Sequence, residues 1–137
     1  MATAASGMDA SATWMSVIAS DIANARDISA ISATSPSQPA IPAANTQPAA
    51  FQPVTVSLSA QAAGGVQAQV TPTLPATIAA YDPSSTYANA QGLVGMPNVD
   101  LVTQFVDLAS AKASYQANAA IFKAADETTR ATLNLVA

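Results

Sequence analysis

The side chains best able to do chemistry in this 137-residue chain are eight carboxylates, four cations and scattered hydroxyls, because it contains neither histidine nor cysteine. That removes thiol nucleophiles, disulfides, His-based triads and the usual nitrogen and sulfur metal ligands together. Asp126 and Glu127 are adjacent acids, but neighbours on a helix point apart, so they make no acid/base couple. Lys112 or Lys123 with a serine would be a Ser-Lys arrangement, and no motif surrounds either lysine. Gly64-Gly65 and Gly92-x-x-Gly95 lack the lysine and the strand-loop-helix context of a phosphate loop. Asp82, between Tyr81 and Pro83, reads as a turn residue rather than a catalytic carboxylate. Lys123, Asp126, Glu127 and Arg130 cluster as on a solvated helix face, with Asp126 and Arg130 at i,i+4. The sequence thus predicts a non-enzyme with no cofactor and no metal site.

Composition narrows the partners. Arg26, Lys112, Lys123 and Arg130 cannot lay a phosphate-tracking stripe on a chain of net charge −4, which argues against nucleic acid. Half the residues are hydrophobic and only 9% charged, the reverse of a disordered composition, so apolar surface must be buried somewhere. The mean hydropathy of +0.28 raises membrane insertion. The long uncharged stretch from Ile28 to Ala80, however, is broken by Pro36, Pro39, Pro42, Pro48, Pro53, Pro72 and Pro75, and no run of about 18 apolar residues exists. Met1 to Ser20 has no Lys or Arg and carries Asp9, unlike the basic start of a cleaved signal peptide, so none is expected.

Every proline lies between Pro36 and Pro97, which leaves two helix-permissive ends around a helix-breaking middle. At the N-terminal end a helix is predicted over Thr3 to Ile28. Met1, Met8, Met15 and Ile22 recur at intervals of seven there, flanked by Ala5, Ala12 and Ala19 and by Ile18 and Ala25. Ser6 with Asp9 resembles a capping box and offers an alternative start. At the other end Asn98 is the predicted N-cap with Asp100 in the first turn, and no Pro or Gly follows to Ala137, enough for a helix of about 55 Å. Leu101, Leu108, Tyr115 and Phe122 form one heptad row, continued by Thr129 and Val136, with Phe105, Ala119 and Leu133 beside it. A second row, Val99, Val106, Ala113 and Ala120, lies on another side with Val102, Ala109 and Ala117, so this helix is expected to face more than one neighbour. Between the ends, alternation over Phe51–Leu58 and Val66–Val70 around Gly64-Gly65 predicts a small β-hairpin or two extended strands. Thr71–Pro83 reads as extended chain, Gln91–Met96 as a turn and Ile31–Ala50 as a Pro-rich linker. The expected fold is mainly α: long terminal helices paired as a coiled-coil-like hairpin, with an N-terminal helix in 1–28, a Pro-rich, partly β middle in 29–97 and a C-terminal helix in 98–137.

With alanine at so many seam positions, two such helices bury too little apolar surface to offset the entropy of ordering them. The prediction is assembly: ends loosely ordered in a free subunit that lock against neighbouring copies. Its interface would comprise Met8, Met15, Ile18, Ile22, Val99, Leu101, Val102, Phe105, Val106, Leu108, Tyr115, Gln116, Asn118, Phe122, Leu133 and Leu135. Methionine suits non-equivalent contacts, and Gln116 and Asn118 could fix axial register. The rival reading is a small helical adaptor or chaperone-like module docking into one partner's groove.

The end segments resemble a known family. Ser6-Gly7-Met8-Asp9-Ala10 followed by Val17-Ile18-Ala19-Ser20-Asp21-Ile22-Ala23-Asn24-Ala25 is similar to the N-terminal signature of flagellar axial proteins, the rod and hook components and their relatives. Tyr81-Asp82-Pro83, Gly92-Leu93-Val94, Met96-Pro97-Asn98-Val99-Asp100, Ser114-Tyr115-Gln116-Ala117-Asn118 and Thr132-Leu133-Asn134-Leu135 resemble its proximal-rod members in order and spacing. Hook and distal-rod relatives carry large inserted domains that a chain this short lacks. Asp21 stands where the family usually has Asn, Trp14 where a basic or polar residue is common, and Ala113, beside Lys112, where Arg is usual. The resemblance implies a structural subunit of a periplasmic rod in a Gram-negative envelope, with terminal helices lining the rod core and the middle facing outward. It further implies export through the flagellar type III apparatus, self-association, and contact with other rod proteins and the adaptor between membrane ring and rod. The array would act as a drive shaft for motility.

Overall fold

Alanine-rich, proline-free sequence keeps both ends helical despite Gly7 in the first of them, and the alternating β-branched residues between 54 and 72 favour strands. A computed structural model describes residues 2–31 and 50–136. Its elements are α1 (Ala2–Asn24), β1 (Val54–Ala60), β2 (Val66–Pro72), β3 (Thr77–Tyr81), β4 (Leu93–Pro97) and α2 (Leu101–Val136). Met1 of the expected heptad row and most of the expected Ile31–Ala50 linker lie outside the described residues, as does the Val136 side chain.

α1 packs against α2 on one side and against the β1–β2 hairpin on the other. Two contacts set the helix register: a Cβ built on Gly7 would sit 2.7 Å from the Asn118 side chain, and Gln104 Nε2 donates to Asp21 Oδ2 at 3.4 Å. The helices therefore run in opposite directions, and the same register places Trp14 level with Ala111, which is 0% exposed. Ala4, Gly7, Ser11, Ile18 and Asp21 of α1 are buried, a 3-4 spacing with Trp14 filling the remaining step. This corrects the seam expected on Met8, Met15 and Ile22, which are only half-buried. The observed row lies one residue, about 100° of helix rotation, away. Small side chains win because they let the backbones approach closely; Ser11 aids this by turning its hydroxyl inward to Gly7 O at 2.7 Å.

α1 ends at Asn24, four residues before the expected Ile28. The cause is a strand-like contact just beyond it: Ser29 N donates to Gly95 O at 2.9 Å and Gly95 N to Ser29 O at 2.8 Å, which holds this stretch extended. Ser6 is inside the helix rather than at its cap, with its hydroxyl bonded back to Thr3 O. α2 begins later than expected, and Asp100, not Asn98, caps it: Asp100 Oδ1 accepts from Val102 N at 3.0 Å and Oδ2 from the Thr103 hydroxyl at 2.8 Å. Asn98 instead ties the helix entry to the preceding turn through Pro75 O and Ala76 O.

Of the two expected forms, the hairpin is the one present. β1 and β2 pair antiparallel from Val54↔Pro72 to Ala60↔Val66, closed by Gly64 and Gly65 at φ 87° and 102°, where only glycine sits without strain. Val54, Val56, Val66 and Ala68 are half-buried on the face toward α1, while Thr55, Ser57, Gln67 and Gln69 are exposed. Beyond it the expectation fails in part. Thr77–Tyr81 within the expected extended chain pairs with Leu93–Pro97, which replaces most of the expected Gln91–Met96 turn. The turn lies earlier, where Asn89 Oδ1 accepts from Gln91 N and Leu93 N, and Gly92 takes φ 74°. Val94 is fully buried, and a Cβ on Gly95 would meet Ser29 Oγ at 2.9 Å, so the glycine in this strand marks where a third segment crosses.

Replacing Gly7 with Leu is expected to destabilise the chain by about 1–3 kcal/mol in denaturant titration, since overpacking must push the helices apart. Gly7→Ala combined with Asn118→Ala removes the collision and should recover wild-type stability or better.

Candidate assembly surfaces

Asp21 is the least exposed titratable group, at 1% relative exposure. α1 carries it into the junction with β1 and α2, where Oδ1 accepts from Val54 N and Oδ2 from Gln104 Nε2, both at 3.4 Å. Burial pushes its pKa above the ordinary 3.8, and the Val54 N–H only partly opposes this. Beside this junction lies a cavity of about 130 Å³, lined by Trp14, Val17 and Ile18 of α1, Val54–Val56 of β1 and Thr103, Gln104 and Asp107 of α2. Its walls mix apolar side chains of α1 and β1 with polar Thr55, Thr103, Gln104 and Asp107, and these form no set of reacting groups. Among the described residues no three acidic side chains gather as a metal site would require.

The remaining charged candidates are surface features. Lys123 meets Glu127 at 3.9 Å and Arg130 meets Asp126 at 3.0 Å, each pair one turn apart and well exposed; Asp126 and Glu127 thus face different cations. Asp82 shapes a turn by accepting from Ser84 N and the Ser84 hydroxyl. Asp100, held below its ordinary pKa first by the Thr103 hydroxyl and then by Val102 N, is a cap.

The residues predicted for an interface fall into two groups. Ile18 is buried, and Met8, Met15, Ile22, Val99, Leu101, Leu108 and Asn118 are half-buried, within or beside the α1–α2 contact or the helix entry. Val102, Phe105 and Val106 are 73%, 58% and 61% exposed, and Tyr115, Gln116, Phe122, Leu133 and Leu135 are also exposed. With Ala109, Ala113, Ala117 and Ala120, likewise exposed, they give α2 a nearly continuous apolar outer row. Sequence reading missed Gly7 and Asp21 as the points fixing the helix pair; the signal for both was the 3-4 spacing of small and polar residues through Ala4, Gly7, Ser11, Ile18 and Asp21. No helix among the described residues is long and apolar enough to cross a membrane.

Two terminal helices around a short strand-rich middle, with an apolar helix face turned outward, suit a subunit that packs against neighbours. Residues 90–135, running from the β3–β4 turn through most of α2, match the family model described as flagellar basal body rod FlgEFG protein C-terminal. Over 119 residues the chain is 35% identical to the flagellar basal-body rod protein FlgC of Salmonella typhimurium, covering 84% of this chain and 79% of that protein. Shorter matches join it to the FlgC proteins of Escherichia coli O157:H7, 42% over 55 residues (40% of this chain, 41% of that one), and of Bacillus subtilis, 53% over 38 residues (28% and 25%). The class is that of flagellar basal-body rod proteins. Within it, the chain belongs to the FlgC family, and its role is that of a structural rod subunit.

Asp21→Asn is expected to stabilise the chain at pH 7 by about 1 kcal/mol, a usual size for relieving a poorly solvated charge. An amide keeps the bond from Val54 N and can donate to the Gln104 carbonyl. Because the folded pKa is raised, the penalty is fully present at neutral pH and is released as pH falls through the folded value toward 3.8. Thermal melts from pH 7 to pH 3 should show the gap between variant and wild type closing.

Proposed function

We propose that this subunit builds the proximal rod by packing its terminal helices as a coiled-coil-like core, and that the array transmits torque as the axial drive shaft. The observation carrying this reading is the outward row of α2, where Val102, Phe105 and Val106 stand exposed beside a run of alanines. Large apolar side chains flanked by small ones fit close helix–helix contact with further copies, and the half-buried Met8, Met15 and Ile22 supply a second, adaptable rim. Burial in the array adds the stability that the thin α1–α2 seam lacks, because neighbours bind only the folded form. Gln116 and Asn118 would set axial register.

In this reading the chain catalyses nothing. It reaches the periplasm of a Gram-negative envelope through the flagellar type III apparatus, then contacts other rod proteins and the ring-to-rod adaptor. A cysteine-free, sparsely charged chain with a thin helix seam suits passage in an unfolded state.

Phe105→Lys should leave the free subunit's stability within about 0.5 kcal/mol, as exposed substitutions do, while abolishing concentration-dependent rods in electron micrographs and motility in complemented cells. Removing Thr128–Ala137, which deletes Leu133 and Leu135, should have the same effect on assembly. Saturation at one small, defined complex would favour the adaptor reading instead.

A further inference from the structure

The β1–β2 hairpin has two edges, and its hydrogen-bond phase can be read from its ends. Thr73 N donates to Pro53 O at 2.9 Å and Gln61 N to Gly65 O at 3.1 Å. In the antiparallel register these flanking pairs put odd-numbered residues of both strands in hydrogen-bonded pairs, so the even-numbered residues aim N–H and C=O outward. Two side-chain contacts agree: Val54 N donates to Asp21 Oδ1 and Val66 N to Ser6 Oγ, one outward N–H on each edge satisfied by α1. The next ones are not. Val56, Leu58 and Ala60 on β1, and Ala68 and Val70 on β2, have N–H groups with no partner among the described residues.

Edges of this kind are normally blunted by charge, and here there is none. From Ile28 to Tyr81 the sequence has no Asp, Glu, Lys or Arg, although the chain carries −4 overall. The hairpin is thus a surface on which two like-charged copies can meet without bringing charges together. We propose that hairpins of neighbouring copies join edge to edge, the β1 edge at Val56, Leu58 and Ala60 receiving the β2 edge at Ala68 and Val70 of a second copy. β1 and β2 run in opposite senses, so copies set side by side in the same orientation continue one antiparallel sheet. The contact is head to tail and therefore propagates as an open array rather than closing a dimer. This deepens the rod-subunit reading and rests on it.

The absence of native cysteine permits a direct test. Ser57→Cys and Gln69→Cys sit on the exposed face of the two strands. Chains carrying one change each are mixed, assembled and oxidised, with Gln67→Cys and Thr71→Cys in place of Gln69→Cys to cover register; any disulfide must then link two chains. The expected result is a dimer of the two different variants, stronger than either variant with itself. In parallel, Leu58→Pro removes an outward N–H without touching a bond inside the hairpin and should raise the concentration needed for assembly about fivefold or more. Ser57→Pro, which breaks the hairpin itself, should additionally change the circular dichroism of the free subunit. Rods that form normally without any mixed disulfide would overturn edge pairing and leave the helical rod reading standing. Self-linked Ser57→Cys dimers alone would overturn head-to-tail pairing, and failure of wild-type chains to form rods at all would instead remove the reading beneath it.

Discussion

The arrangement depends on how closely α1 can approach α2. Gly7 has no side chain where Asn118 stands, and a single Cβ there would collide with it at 2.7 Å. Around that contact the seam is lined by alanine and serine on α1 and by Ala111 on α2. Proximity at this level positions Asp21 against Gln104 and, through Val54, anchors the start of β1. Ser6, near the other end of the same helix, holds the start of β2. One helix therefore serves as the template for both of its neighbours, and a change in its depth against α2 is felt by the hairpin.

A seam of small residues gives proximity at the cost of burial. Few large side chains are fully enclosed, chiefly Ile18 and Val94, and Asp21 spends part of that small core on a charge that burial disfavours. The larger apolar groups of α2, Val102, Phe105 and Val106 among them, lie outside. For a monomer this distribution is inefficient. For a rod subunit of the kind proposed it is consistent, because neighbours covering that surface would add rigidity on assembly.

The sequence disclosed what periodicity and proline placement encode: both helices, the β1–β2 hairpin and the family signatures at the ends. It misplaced what tertiary contact decides. A hydrophobic pattern points to Met8, Met15 and Ile22 as the α1 seam because it weights size, whereas close packing selects the small row one residue away. β4 was hidden because Gly92 and Gly95 read as turn residues, while Gly95 is in a strand to let Ser29 cross. Asp100 rather than Asn98 caps α2 because Asn98 is already committed to Pro75 O and Ala76 O. Of the candidate interface, the outer row of α2 was legible as an apolar stripe wider than one seam, and its exposure needed coordinates.

Charge placement also suits the proposed repeating structure. A net charge of −4 on every copy would oppose stacking if it were spread evenly. It is not spread evenly: the whole segment from Ile28 to Tyr81 is neutral, and the distal part of α2 holds its charges as the neutralising pairs Lys123–Glu127 and Asp126–Arg130. Such exposed pairs contribute little to the stability of one chain. What they do is lower the field around α2, and under the proposed packing of α2 among copies of itself that field would decide, at short distances, whether apolar contacts form.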